Sequence, residues 1–226
     1  MYNYNLHAHT FLSDGELLPS EVAVRYLDKG YKVIAITDHA DYSNIRTAAA
    51  SVVEFCRKWP KDSLITVLPG IELTHLPPEQ FKPLAALARK LGIKIIVAHG
   101  ETPVEPVTPR TNNLALKADI DILAHPGLIT DEDTLLAKER GIFLEITSRK
   151  GHASANRYVA AQAKKFGARL ILNNDSHTVE DIILPDDLAN IGIEAGLTKI
   201  EINKIYADVT SLLTKKACLP AGREGR

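Results

Sequence analysis

Short apolar β-runs alternate with helical runs along most of the 226 residues of the chain. Such alternation indicates a parallel sheet with helices outside it. No Gly-x-Gly-x-x-Gly or Walker-type loop follows a β-run, so a nucleotide-binding open sheet lacks its usual signature and a barrel is favoured. In a barrel, functional groups lie at the C-terminal ends of the strands. The predicted β-runs are a first run up to His9 and then 32–39, 64–72, 94–99, 120–125, 142–146 and 169–173; the predicted helices are 19–30, 43–59, 78–91, 112–118, 131–140, 154–166, 185–195 and 199–215.

The length of the chain suits one domain, which we place at residues 1–215, with a flexible C-terminal tail at 216–226. Hydrophobic residues make up 45% of the chain and aromatic residues only 6%, which predicts an aliphatic core. Cys56 and Cys218 are too few for a disulfide framework, so we expect reduced thiols in a cytoplasmic protein. We expect no membrane span and no signal peptide, because no long apolar run and no charged region followed by an apolar core is present.

Polar side chains recur where the predicted β-runs end. Because successive strand side chains point to opposite faces, His7 and His9 point the same way and suit a borderline metal ion such as zinc. Asp14, in the turn that follows, could return a carboxylate to the same place. Six of the eight histidines lie at a strand end, whereas scattered histidines would fall mostly on helices and loops. The predicted metal ligands are His7, His9, Asp14, His39, Glu72, His99, His125, Asp175 and His177.

Each of these residues has a plainer interpretation when it is taken alone. A single strand-end histidine is more often a core or capping residue than a ligand. Glu72 could be one member of a buried ion pair, and Asp175 could cap a helix. The metal hypothesis therefore depends on the strand ends converging in space.

The nine predicted ligands limit the number of ions. A catalytic zinc-like ion takes about three protein ligands and keeps a position open, so the set could hold two or three ions with Glu72 as the bridge. Nitrogen and oxygen ligands without sulfur favour zinc, manganese or iron. Three carboxylates leave a net charge of about +1 with two ions or about +3 with three, which favours an anion and in-line attack on a phosphoryl group. No serine or cysteine nucleophile motif is present.

The chain resembles the PHP (polymerase and histidinol phosphatase) family in six motifs that cover most of its length. These are His7-Ala8-His9-Thr10 with Ser13-Asp14-Gly15, Thr37-Asp38-His39, Gly70-Ile71-Glu72, Val97-Ala98-His99, Leu123-Ala124-His125-Pro126 and Asn174-Asp175-Ser176-His177. The resemblance implies a distorted TIM-like (β/α)7 barrel that hydrolyses phosphoesters at a centre of two or three metals. It also implies three ligand sets: His7, His9, Glu72 and Asp175; Glu72, His99 and His125; and Asp14, His39 and His177. Asp14 stands where some histidinol-phosphatase-like members have a histidine.

Cationic residues follow the sixth β-run and are expected at the rim of the pocket. We predict that Arg149 forks onto a substrate phosphate, with Lys150 or His152 nearby. His75, in the loop after Glu72, could line the same rim. A solvated loop is the alternative for these residues.

We predict a phosphatase that hydrolyses a phosphomonoester of a small metabolite through a metal-activated hydroxide, with histidinol phosphate as one candidate substrate. Two alternatives stay open, a metal-dependent nuclease on short or single-stranded nucleic acid and a non-enzymatic metal-binding regulatory module. A net charge of −1 and few aromatic residues make nucleic acid an unexpected partner. Homo-oligomer formation is left open. The predicted catalytic residues are His7, His9, Glu72, Asp175 and Arg149.

Overall fold

Residues 3–217, which the computed structural model describes, form a parallel β-sheet that is nearly closed into a barrel and is surrounded by helices. This confirms the predicted α/β barrel. The strands are β1 (Tyr4–Asn5), β2 (Val33–Ile36), β3 (His39–Ala40), β4 (Thr66–Leu73), β5 (Ile95–His99), β6 (Ile122–Ala124), β7 (Phe143–Thr147) and β8 (Arg169–Asn173). The helices are α1 (Pro19–Asp28), α2 (Ile45–Lys58), α3 (Phe81–Lys90), α4 (Thr111–Leu116), α5 (Asp131–Arg140), α6 (Asn156–Phe166), α7 (Pro185–Glu194) and α8 (Lys199–Ala217).

The sheet follows the order β1-β2-β4-β5-β6-β7-β8, with every pair parallel and β3 paired to β4. Side-chain amides join the two ends of this path. Leu6 N donates to Asn173 Oδ1 at 2.9 Å, and Asn174 N donates to Asn5 Oδ1 at 2.7 Å. One isolated backbone bridge lies further along the seam. The barrel is therefore closed between its first and last strands by a few polar contacts rather than by a regular ladder.

The second predicted β-run divides into two strands, β2 and β3, at Thr37 and Asp38. The side chains of both residues contact the first ligand motif, and their backbones still bond to neighbouring segments, through Thr37 N to Ala8 O and through Glu72 N to Asp38 O. Thr37 Oγ1 accepts a hydrogen bond from Ala8 N at 2.9 Å, and Asp38 Oδ1 accepts one from Thr10 N at 2.8 Å. This break keeps His39 beside Glu72, its register partner on β4.

The core of the barrel is mainly aliphatic, as the composition predicts, with a few buried aromatic side chains among the Ile, Leu, Val and Ala residues. Two predicted helices begin with a short 3₁₀ turn, Pro78–Gln80 before α3 and His152–Ala155 before α6. Among the described residues, no helix is both long and apolar enough to span a bilayer.

The predicted tail at 216–226 lies only partly within the described residues. Its first residues continue α8, where Lys216 Nζ lies 2.7 Å from Asp121 Oδ1. Residues 218–226, with Cys218, lie outside the described part, so the flexible tail stays a prediction.

Candidate metal centre

The C-terminal ends of the strands meet at one mouth of the barrel, and the nine predicted ligands lie there. The ring of His9 is at the middle of the histidines, with centroid distances of 4.1 Å to His177, 4.2 Å to His39 and 5.1 Å to His7. Residues far apart in the chain are thus neighbours in space. His7 and His9 follow β1, Asp14 lies in the next turn, His39 is in β3, Glu72 in β4, His99 ends β5, His125 follows β6, and Asp175 and His177 follow β8.

Glu72 is fully buried at the centre of this group. Its Oε1 faces two imidazoles, with His7 Nε2 at 3.4 Å and His125 Nε2 at 3.7 Å. Its Oε2 faces two others, with His39 Nδ1 at 2.8 Å and His9 Nε2 at 3.6 Å. Since the two oxygens address different imidazole pairs, the carboxylate is placed where it could bridge two ions.

Asp14 gathers a second group at the more exposed side of the mouth. Its Oδ2 lies 3.4 Å from His39 Nε2 and 3.3 Å from His177 Nε2. Donor atoms of these three residues and of His9 all lie within 4.8 Å of one another. The set Asp14, His39 and His177 that the resemblance implies is therefore brought together.

The turn that carries Asp14 is held by Asp38. The Asp38 carboxylate accepts hydrogen bonds from Thr10 N at 2.8 Å, Thr10 Oγ1 at 2.8 Å and Ser13 Oγ at 2.7 Å. A Cβ atom at Gly15 would lie 2.7 Å from Thr10 N, closer than side chains tolerate, so the turn closes only around glycine. Asp38 thus positions a ligand without being one of the nine.

His99 does not group with the partners that the resemblance implies, Glu72 and His125. Its ring centroid lies 4.5 Å from that of His125, but its Nε2 lies 2.9 Å from Glu105 Oε2. Its donor atom groups instead with those of His75 and Glu105. Glu105 lies in an irregular loop after β5, where no periodic pattern pointed to it.

Glu145 on β7 is a further buried acid of the centre, with no exposed side-chain surface. Its Oε1 lies 2.8 Å from His7 Nδ1 and accepts a hydrogen bond from Asn173 Nδ2 at 2.9 Å. Its Oε2 accepts one from His125 N at 3.1 Å. A carboxylate on Nδ1 fixes the proton there and leaves His7 Nε2 free for a metal. The sequence placed this residue at a strand end without assigning it a role.

Replacing Glu145 with glutamine is expected to weaken metal binding by about 10- to 100-fold. If the new NH2 group takes the position of Oε1, it faces the Asn173 Nδ2 donor and His7 Nδ1, which would favour the wrong tautomer of His7. If it takes the position of Oε2, it faces the donor His125 N. Chelator-competition titration measures the affinity, with the exposed Glu132→Gln on α5 as the matched control. Equal affinities for Glu145→Gln and wild type would contradict this positioning role.

Five buried side-chain atoms of the centre have no hydrogen-bond partner. These atoms are His7 Nε2, both ring nitrogens of His9, Glu72 Oε1 and His125 Nδ1. An unpaired buried polar atom is costly, so a group of them calls for a ligand. Imidazole nitrogens beside carboxylate oxygens are the donor set of divalent transition metals. The residues therefore fit such ions.

Neighbouring titratable groups of the centre shift one another's pKa values. Burial alone would lower the pKa of His7, but the surrounding carboxylates, first Glu145, raise it well above its usual value. Burial and the neighbouring imidazoles, first His39, hold the pKa of His9 well below its usual value. Burial raises the pKa of Asp175 to about 6. Protons are thus shared unevenly among the donors, and bound cations would compete with them for the same atoms.

The predicted rim residues differ in how they meet the pocket, a cavity of about 430 Å³ over the ligands. Arg149, His75 and the buried His152 line the cavity. Lys150 is exposed and is not among the lining residues. Arg149 Nη1 donates to His177 Nδ1 at 2.8 Å, so its guanidinium lies beside the predicted ligands.

Comparisons of sequence and structure find several known proteins that are similar to this chain. The family model described as PHP domain matches residues 5–118, just over half of the chain. An uncharacterized protein of Methanocaldococcus jannaschii is 42% identical over 94% of this chain and 99% of its own length. The DNA polymerase/3'-5' exonuclease PolX of Bacillus subtilis is 26% identical over 78% of this chain and 34% of its own. The crystal structure of a Listeria monocytogenes protein, provisionally assigned as a histidinol phosphatase, shares the fold with a TM-score of 0.58 and 14% identity over 79% of this chain and 97% of that one.

Proposed function

Because the chain belongs to the PHP family of metal-dependent phosphoesterases, we propose that it hydrolyses a phosphomonoester of a small metabolite. The proposed cofactors are two or three divalent transition-metal ions, zinc, manganese or iron. One observation carries this proposal. Buried imidazoles and carboxylates with unpartnered donor atoms converge next to a cavity of about 430 Å³, which Glu72 and His125 line and whose volume suits a small ligand.

Several of these buried residues would hold the ions together. Glu72, whose Oε1 faces His7 and His125 and whose Oε2 faces His9, would join two ions. Asp175 supports the same arrangement, since its Oδ1 lies 3.4 Å from His9 Nε2 and its Oδ2 lies 3.7 Å from His125 Nε2. Bound ions would supply an activated water and neutralise charge on the phosphoryl oxygens. Glu145 would keep the His7 ring in its ligating tautomer.

We assign phosphate binding to Arg149, whose side chain lines the cavity. Neutral His177 cannot both accept the hydrogen bond from Arg149 at Nδ1 and bind a metal through Nε2, because the ligating tautomer carries its proton on Nδ1. That proton has another acceptor, Asp175 O at 3.3 Å. A loaded centre would therefore end the hydrogen bond from Arg149 to His177 Nδ1, while Asp181 Oδ2, 3.6 Å from Arg149 Nη1, would still keep the guanidinium at the cavity wall. From there the guanidinium can fork onto a phosphate.

Substitution of Arg149 with alanine is expected to raise the KM for phosphomonoesters by about 10- to 100-fold. The reason is the loss of a charge-assisted hydrogen bond to the phosphate, which contributes about 1.5–3 kcal/mol to binding. Initial-rate kinetics with p-nitrophenyl phosphate measure the effect. The neighbouring Lys150→Ala is the matched control, because that side chain does not line the cavity. A normal KM in Arg149→Ala would reject this role.

The proposed reaction is tested with p-nitrophenyl phosphate and a panel of phosphorylated metabolites, histidinol phosphate among them, in the presence of manganese or zinc. We expect metal-dependent release of phosphate from monoesters. No rate above background in the wild type, or an undiminished rate in His7→Ala, would contradict the proposal and favour a non-catalytic metal-binding module.

A nuclease is the second candidate, favoured by the similarity to the polymerase and exonuclease of Bacillus subtilis. A nucleic-acid groove needs cations along the backbone path and aromatic side chains for stacking. Among the residues that line the described cavity, Arg149 is the single Lys or Arg, and no Phe, Tyr or Trp is present. Faster hydrolysis of bis(p-nitrophenyl) phosphate or of short single-stranded DNA than of monoesters would favour the nuclease.

We also propose a cytoplasmic location for this reaction. Cys56 is a free thiol, and two cysteines are too few for a framework of disulfides. Fractionation of cells followed by detection of the protein would test this, and recovery in a secreted or membrane fraction would contradict it.

A further inference from the structure

Four side chains form a separate group at the edge of the cavity, which we call the edge cluster: His75, His99, Glu105 and His152. Glu105 lies at its centre. Its Oε2 is 2.9 Å from His99 Nε2 and 3.3 Å from His75 Nε2, and its Oε1 is 3.4 Å from His152 Nε2. Three imidazoles thus address one carboxylate. Of these four residues, only His99 belongs to the nine predicted ligands.

The spacing within the edge cluster suits a shared ion. Metal–ligand bonds of about 2.0–2.2 Å place neighbouring ligand atoms of one ion roughly 3.0–3.4 Å apart. The distance from His75 Nε2 to Glu105 Oε2, 3.3 Å, lies within this range, and the distance from His99 Nε2, 2.9 Å, lies just below it. Donor atoms of His75, His99 and Glu105 all lie within 4.8 Å of one another.

The ring of His99 is already oriented for such an ion. Its Nδ1 lies 3.0 Å from Gly100 O, so a proton on Nδ1 can be donated to that carbonyl. That hydrogen bond leaves the Nε2 lone pair directed toward Glu105, and a single lone pair binds a single ion. An ion bound by His99 would therefore lie at the edge cluster, apart from the ions held by Glu72.

The backbone at His75 gives independent support. Four non-glycine residues among those described have positive φ, and two of them are the predicted ligands His125 (φ 29°) and Asp175 (φ 52°). His75 is a third, with φ 50°. Such conformations are strained and cluster at sites where a side chain must be held in one direction. The bend at His75 directs its ring to the cavity wall just after β4.

The loop that carries Glu105 is fixed at its base. Glu101 N donates to Asn112 Oδ1 at 2.9 Å, and Asn112 N donates to Glu101 Oε1 at 3.0 Å. Nearer to Glu105, Thr102 Oγ1 lies 2.7 Å from His152 Nδ1. These contacts hold the loop against the cavity, so Glu105 is presented to the imidazoles by anchored neighbours on its N-terminal side.

We propose that His75 and Glu105 are metal ligands, which together with His99 hold a divalent transition-metal ion at the outer edge of the cavity. This inference rests on the proposed metal-dependent function and adds two residues to its ligand set. His152, the fourth member of the edge cluster, is stacked on the buried His125 with ring centroids 4.3 Å apart. The edge ion would sit nearer to solvent than the ions held by Glu72.

Cobalt(II) titration of the full chain tests this proposal without measuring turnover. The variants are Glu105→Gln and His75→Asn; asparagine tolerates positive φ, so the bend at residue 75 is kept. We expect the affinity for one cobalt equivalent to fall by about 10-fold or more in each variant, with the remaining equivalents unchanged. Glu132→Gln is the control for removal of an exposed carboxylate, and circular dichroism checks that each variant is folded.

Anomalous diffraction from crystals of the cobalt-loaded protein gives the position of the ion. A peak bounded by His75, His99 and Glu105 is the expected result. Unchanged cobalt affinity in Glu105→Gln, or a peak at His99 that contacts neither His75 nor Glu105, would overturn the inference while leaving the proposed function intact. A wild-type chain that binds no transition metal at all would overturn both.

Discussion

Replacing Glu72 with glutamine is expected to lower turnover of phosphomonoesters by at least about 1000-fold, or about 4 kcal/mol of activation free energy. The carboxylate is fully buried and turns each oxygen to a different imidazole pair. Glutamine keeps the size but removes the charge and one ligand oxygen, and its NH2 group would face imidazole nitrogens. The substitution should therefore weaken the binding of both ions that Glu72 would join.

Initial rates at saturating manganese, together with elemental analysis of the dialysed protein, measure the effect of Glu72→Gln. We expect both the rate and the metal content to fall. Glu132→Gln should keep both. A Glu72→Gln variant with full metal content and a rate within about 10-fold of wild type would show that the carboxylate does not bridge ions.

Removal of the metals is expected to destabilise the fold. Ions that bind only the folded chain stabilise it by about 4 kcal/mol when the free metal exceeds Kd roughly 1000-fold. For a domain of this size, that corresponds to a fall in Tm of about 8–16 °C on chelation. The physical reason is the group of buried donor atoms at His7, His9 and Glu72 that lack partners without a cation.

Calorimetric unfolding before and after treatment with a chelator measures this shift, and added manganese or zinc should reverse it. The Glu72→Gln variant is the control, because its Tm should respond little to the chelator. An unchanged Tm in the wild type would mean that the centre contributes nothing to stability and that its unpaired atoms are satisfied by water.

Periodicity and strand-end chemistry predicted much of this molecule. The β-run at 169–173 and the helix at 131–140 have their predicted bounds, and Gly141, with φ 67°, ends that helix. The convergence of His7, His9 and Glu72 followed from one rule, that parallel strands in a barrel end at the same mouth.

Other features depended on contacts that no local pattern encodes. The second β-run is divided at Thr37 and Asp38, whose side chains bond to the first motif, and no local pattern predicted these long-range contacts. Glu105 lies on an irregular loop, and its approach to His99 depends on how that loop is anchored. The role of Glu145 depended on which ring nitrogen of His7 it contacts. Lys150 was predicted at the rim because it follows Arg149 in the sequence. Adjacent residues can point in different directions, and the side chain of Lys150 is exposed and does not line the cavity.

Because the seam between β1 and β8 is incomplete, bound ions would also help to hold the first and last strands together. The residues that meet there, Leu6 and Asn173, are 167 positions apart in the sequence. His7 and His9 lie on one side of this junction and Asp175 on the other, so a cation bound by all three would act as a cross-link between the segments that follow the first and the last strand. In the metal-free protein this junction is the place where we expect the barrel to unzip first, with amide protons near Leu6 exchanging early.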